Sequence, residues 1–276
     1  MDQQRVSFLV AGVQKGGTTA LFHYLDDLPG VQMAPAKEVH FFDDETGVDW
    51  TNPDYGRLHA AFPKLDPRPR GEVTPIYIYW PNCLERIARY EPAMKLVLLF
   101  RDPVERAWSQ WRMEYARGWE SEPFAWCIRQ GRARVDSPEA PAHHRVFSYV
   151  ERGFYGAQFA HLLTLFPREQ VLALRSEDLD ARPDETLARI CRFIGAPPPK
   201  GPVTPRRELT AKAIDYGATI SEADRAYLRG LYALDLARFA KLSGLDVGAW
   251  LGDGAQAGPR RQGLWARLKG LAGLRH

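Results

Sequence analysis

The sequence predicts an α/β fold: one domain with a mainly parallel central sheet flanked by helices on both faces. Two observations carry this. Short, wholly apolar runs at 8–12 (FLVAG), 96–100 (LVLLF) and 171–174 (VLAL) read as strands buried on both faces. Each is followed by a helical pattern rather than a tight hairpin, the alternation that builds parallel crossover units. The length of 276 residues, 45% hydrophobic and 26% charged, suits one large soluble domain with an ample core.

The first unit is residues 7–21, SFLVAGVQKGGTTAL. After the strand, Gly16 and Gly17 allow a tight turn that approaches a ligand closely. Thr18 and Thr19 offer an N-cap and hydroxyl donors, and the helix that follows places Leu21, Leu25 and Leu28 on one face. Strand, glycine turn and helix N-terminus make an anion site, to which Lys15 adds a full positive charge. The nucleoside-triphosphate loop G-x-x-x-x-G-K-(S/T) fits only partly, because Thr18 stands where its lysine belongs and the lysine sits inside the loop at Lys15. The domain is therefore P-loop-like in layout and different in register.

That register resembles the 5′-phosphosulfate loop of sulfotransferases that use 3′-phosphoadenosine-5′-phosphosulfate (PAPS), (P/Q)-K-(G/T/S)-G-T-(T/S)-x-L, which Gln14 to Leu21 fit at each step. The resemblance implies that Lys15, Gly16, Gly17, Thr18, Thr19 and Ala20 bind the donor nucleotide.

After Pro29-Gly30 and a short strand at 31–33, residues 34–50 crowd Lys37, Glu38, His40, Asp43 and Asp44 around Phe41 and Phe42. Two readings stand: a loop pinned by two core phenylalanines, or an extended segment aiming Glu38 and His40 to one side. The stretch resembles K-E-x-x-F-F of heparan-sulfate-type carbohydrate sulfotransferases, which implies Glu38 as catalytic base and His40 as a weaker candidate or helper. A short helix is expected over 54–62. Gly71 to Pro75 resembles the family's strand and turn E-K-(T/S)-P, with Val73 in place of the lysine, so a polyanionic acceptor is less expected. Tyr77, Tyr79 and Trp80 are either core cover or a stacking surface for an acceptor ring.

The next unit ends in Arg101-Asp102-Pro103, with proline opening a helix. An arginine at a strand end and a serine two helical turns later can converge on one phosphate. Arg101, Asp102, Pro103, Arg106 and Ser109 resemble the family's 3′-phosphate motif R-(D/N)-P-x-x-R-x-x-S, which implies Arg101 and Ser109 as nucleotide ligands. Residues 111–134 are helical in period, with a face packing on the core, and the Pro/Ala/His-rich stretch 135–144 is a candidate lid with His143 and His144 at the surface. Residues 150–179 resemble a third family block, in which Tyr155 faces nucleotide or acceptor. Pro183 opens a helix capped by Gly195. In the loop 196–220, Lys200, Arg206, Arg207 and Lys212 are candidates to close over the nucleotide. Ser221 caps a helix running to about Ser243, with Leu228, Leu231, Leu234 and Leu236 to bury, and GLDVGAWL at 244–251 resembles the end of the domain in bacterial members.

The predicted domain thus spans 1–252, followed at 253–276 by a linker and a short basic amphipathic helix that can lie on a membrane surface or dock on a partner. Net charge is +3, with 37 Lys and Arg against 34 Asp and Glu, too even to argue for nucleic acid. Cys83, Cys127 and Cys191 are widely spaced and expected as reduced core thiols. With neither a signal-peptide pattern nor a membrane-length apolar run, the expected location is cytoplasmic, with peripheral contact at the inner membrane surface. The resemblance implies sulfuryl transfer from PAPS to an acceptor hydroxyl or amine on a carbohydrate or glycolipid, without a metal. Lipid or natural-product acceptors remain open, as do a P-loop kinase or NTPase and a non-catalytic nucleotide-binding protein.

Overall fold

The computed structural model describes residues 5–62, 67–136, 140–204 and 219–252. Strands β1 (Phe8–Gly12), β2 (Gln32–Met33), β3 (Arg70–Val73), β4 (Lys95–Phe100) and β5 (Val171–Arg175) form one sheet in the order β2-β3-β1-β4-β5, and each neighbouring pair is parallel. The helices are α1 (Thr18–Asp26), α2 (Gly56–Ala60), α3 (Cys83–Tyr90), α4 (Pro103–Ala116), α5 (Phe124–Cys127), α6 (Tyr155–Leu165), α7 (Ser176–Ala181), α8 (Pro183–Ile194) and α9 (Glu222–Ser243).

The two-residue period of the strands divides the core. Phe8, Val10, Val97, Leu99, Leu172 and Leu174 pack under α1, α7 and α8. Leu9, Ala11, Leu96, Leu98, Phe100 and Ala173 pack under α3, α4, α6 and α9. Burial of alternate residues on opposite faces is why these strands read as continuous apolar runs. All the strands end at the same edge of the sheet, and the loops there carry the candidate site.

Several expectations need correction. The 111–134 stretch is not one helix: α4 stops at Ala116, Gly118 turns the chain at φ 74°, and Pro123 precedes the four-residue α5 and a 3-10 turn over Gln130–Val135. Helix α3, absent from the sequence reading, buries Cys83, Leu84 and Ile87 at helical spacing. In α9 the buried stripe is Leu228, Tyr232, Leu236 and Phe239, which leaves Leu231 half-buried and turns Leu234 outward at 89% exposure. His143 and His144 are half-buried rather than surface residues: the His144 Nδ1 accepts from the Val146 and Phe147 amides at 3.0 and 3.2 Å. The three cysteines are buried free thiols.

Candidate active site

The donor loop is laid across the end of β4. The Val13 amide donates to the Leu99 carbonyl at 3.0 Å, and the Gly16 amide donates back to Val13 O at 2.9 Å. A Cβ at position 16 would sit 2.3 Å from the Leu99 carbonyl oxygen, so glycine is required there. Gly17, at φ 89°, is the N-cap of α1 and no side chain caps that helix, which corrects the expectation that a threonine hydroxyl does so. A left-handed turn enters the helix here, and Thr18 is already its first residue. The first intrahelical bond runs from Leu21 N to Gly17 O at 3.2 Å. The amides of Gly17, Thr18, Thr19 and Ala20 have no acceptor among the described residues, and they are left to an anion.

The Lys15 ammonium reaches the loop's α4 side, with Nζ 3.6 Å from Met113 Sδ. Burial lowers its pKa, Arg117, Arg101 and Lys37 push the same way, and Glu114 opposes them. Lys15, Arg101, Arg117 and Lys37 gather on this side of the loop, with Glu114 beside Arg117 and Glu38 beside Lys37.

At the end of β4, Asp102 Oδ1 accepts from the Val104 amide at 2.8 Å and caps α4, while Pro103 fills the first turn. The Arg101 guanidinium makes no hydrogen bond or ion pair among the described residues, and neither does the hydroxyl of nearly buried Ser109. Arg106, by contrast, is wholly buried and spends its guanidinium on Gln110 Oε1 at 2.8 Å and on the Tyr149 carbonyl. Tyr155, expected to face a ligand, is also wholly buried. Its hydroxyl donates to the Arg101 carbonyl at 2.9 Å, so it fixes Arg101 in place from beneath.

The segment 37–43 combines both sequence readings. It is a loop pinned by Phe41 and Phe42, each 0% exposed, whose amides donate to the Tyr77 hydroxyl at 3.0 and 3.4 Å. It is not extended, because Glu38 and His40 stand at φ 65° and 53°. The two side chains nevertheless meet: His40 Nε2 lies 3.3 Å from Glu38 Oε2, and His40 Nδ1 lies 2.9 Å from Asp43 Oδ2. Lys37 pairs with the other Glu38 oxygen. Burial pushes the Glu38 carboxyl up, yet the His40 hydrogen bond and the Lys37 charge outweigh it and hold the pKa at about 2. Hydrogen bonds to Asp43 and Glu38 lift His40 to about 9 against the effect of burial. Both carboxylates favour the charged imidazolium, which suits His40 to the helper role and leaves Glu38 as the better base.

Beneath this row, the fully buried Glu72 on β3 accepts the Thr74 hydroxyl at 2.6 Å, and burial pushes its pKa to about 7. Tyr79 and Trp80 prove to be core cover rather than a stacking surface for an acceptor, with Arg152 lying over one ring at 4.9 Å and Arg145 over the other at 4.2 Å. Arg206, Arg207 and Lys212 lie outside the described residues.

Sequence comparison decides the family. The model of the sulfotransferase domain family matches residues 6–213. The chain belongs to the sulfotransferase family. It is 31% identical over 191 residues to human heparan sulfate glucosamine 3-O-sulfotransferase 6, a match that covers 68% of this chain and 51% of that one. To the membrane-associated sulfotransferase kil1 of Dictyostelium discoideum it is 25% identical, over 68% of this chain and 55% of the relative. The chain thus spans about half the length of the curated relatives it matches. A sulfotransferase crystal structure from Alicyclobacillus acidocaldarius superposes with a TM-score of 0.72 at 25% identity, covering 89% of this chain and 98% of that one.

In this sulfotransferase the sequence pointed to the two candidate phosphate loops and to Glu38 and His40. It did not point to Arg145, whose guanidinium holds Asp43, and it marked Arg152 only as part of the third family block, not as a residue that reaches the donor loop. Among the described residues no group of three or more His, Cys, Asp or Glu side chains is gathered for a metal ion.

Proposed function

We propose that the chain transfers a sulfuryl group from PAPS to a hydroxyl of a carbohydrate or glycolipid, with Glu38 as general base. One observation carries the reading. The edge of the sheet that holds an uncompensated anion cradle also holds an ionised carboxylate in contact with an imidazolium.

The residues present fit the nucleotide. Gly16 leaves room where a Cβ would strike Leu99, and among the described residues four amides have no acceptor and the Arg101 and Ser109 side chains are unspent. PAPS, when bound, supplies the sulfuryl group. Arg101 and Ser109 would hold its 3′-phosphate through a charged fork and a hydroxyl. The amides of residues 17–20, with the Thr18 and Thr19 hydroxyls, would hold the 5′ end. Glu38 takes the proton of the acceptor hydroxyl as the new O–S bond forms and the bridging S–O bond breaks. Lys15 meets the negative charge left on the bridging oxygen. His40 orients the carboxylate. An acceptor hydroxyl that displaces Lys37 from Glu38 removes part of what depresses its pKa and so strengthens the base.

The likeness to heparan sulfate enzymes and the Lys37–Phe42 loop support a sugar acceptor. Val73, buried in the core where such enzymes tend to carry lysine, offers no cation and so favours a less anionic chain or a glycolipid. We also propose peripheral membrane contact through 253–276. No helix among the described residues is long and apolar enough to cross a membrane. Loss of liposome co-sedimentation on deleting 255–276 supports this contact, and unchanged sedimentation ends it.

The acceptor test is transfer of 35S from labelled PAPS to desulfated heparan oligosaccharides, glycolipids and simple phenols. Label on sugar supports the proposal. Label on phenols alone moves the acceptor to natural products, and none with nucleotide bound favours a non-catalytic role.

A further inference from the structure

We propose that Arg145 is a positioning residue for the transfer, and that with Arg152 it braces the loop bearing the base against the donor loop; this rests on the reading of Glu38 as base. Asp43 is the anchor. Its side chain is 1% exposed, and a buried carboxylate is tolerated only when its charge and lone pairs are satisfied. His40 Nδ1 supplies one bond, at 2.9 Å to Oδ2. Arg145 arrives from 102 residues away and supplies two more. Its Nη1 donates to the same Oδ2 at 2.5 Å, and its Nη2 donates to the Asp43 main-chain carbonyl at 2.6 Å. One planar fork therefore fixes both the carboxylate and the backbone that carries it, which a lysine cannot do. With Asp43 fixed, the His40 ring is fixed, and with it the face of Glu38 that the ring contacts.

The brace continues to the other side of the site. The Arg145 main-chain carbonyl accepts from Arg152 Nη2 at 2.8 Å, and the other arm of Arg152 donates to Gln14 Oε1, next to Lys15. Arg152 is itself buried, at 3% exposure. The arginines lie on the adjacent rings of Trp80 and Tyr79, and the Tyr79 hydroxyl donates to Ser148 Oγ at 2.7 Å, which in turn donates to the His144 carbonyl at 2.7 Å. Residues 144–152 thus form a strut seated on an aromatic step, gripping Asp43 at one end and Gln14 at the other. In-line transfer needs base and donor in register to a fraction of an ångström. The strut supplies that register without touching either reactant.

The test reads His40 rather than turnover. In 15N-labelled full-length protein, the wild-type His40 Nδ1–H gives a downfield, slowly exchanging signal. Arg145→Ala loses it, added guanidinium restores it, and Arg145→Lys, which keeps the charge but not the fork, does not. Cooperative melting and affinity for 3′-phosphoadenosine-5′-phosphate (PAP) within about threefold of wild type show that fold and nucleotide site are intact. PAP shifts the His40 signal in wild type and not in Gln14→Ala. A persistent signal in Arg145→Ala overturns the positioning role, and a persistent PAP shift in Gln14→Ala overturns the brace. Either failure leaves the Glu38 assignment standing, because that is decided separately by whether Glu38→Ala still transfers sulfate.

Discussion

His40 Nε2 lies 3.3 Å from Glu38 Oε2 although both residues have left-handed backbone conformations. The contact joins a carboxylate held at about 2 to an imidazole lifted to about 9, so across the neutral range the pair is a charged couple. Roles divide accordingly. The carboxylate can take a proton and the imidazolium cannot.

Glu38→Ala should therefore lower transfer by roughly 10²- to 10⁴-fold, the usual worth of a general base. PAP affinity, measured by calorimetry, should stay within about threefold, because no nucleotide-holding group is removed. A variant with near-normal turnover would return the base to another residue.

Stability should follow the His40 titration. Its folded pKa of about 9 exceeds the ordinary value near 6.5, so the stabilisation is complete below about pH 6.5 and is lost as pH rises through about 9. Glu38 behaves oppositely, contributing above its ordinary range and losing that contribution as pH falls towards about 2. Melting temperatures of wild type and His40→Gln should converge between pH 6.5 and 9. Parallel curves across that window would show that the couple does not form.

Gly16→Ala should disable the donor loop. The added methyl would lie 2.3 Å from a backbone oxygen of β4, so the loop must move, at a cost of about 1–3 kcal/mol. PAP binding is expected to fall by tenfold or more, with a lower melting temperature. Unchanged affinity would mean that the loop is more pliant than its bond to Val13 implies.

Much of this was legible in the sequence because it is local. Apolar runs, glycines and the Asp102-Pro103 cap each act within a few residues, and β1, β4, β5 and the helices after them follow directly. Glu38 and His40 were legible as residue types but not as a backbone path, since their positions depend on Phe41 and Phe42 bonding to Tyr77, 36 and 35 residues on. Arg145 carried no signal: it stands just after the Pro/Ala/His-rich stretch 135–144 and acts 102 residues away. Leu234 shows the same limit from the other side, because only the packed helix reveals that Tyr232 and Phe239 take the core stripe.

The most direct test of the central claim is a calorimetric titration with PAP, run beside ATP, on wild type and on the Lys15→Ala/Arg101→Ala double variant. The account predicts selective binding of PAP by wild type and its loss in the double variant, since loss of two charge-assisted contacts at about 1.5–3 kcal/mol each weakens binding by at least about a hundredfold. Preference for ATP, or PAP binding that survives the double substitution, would contradict it.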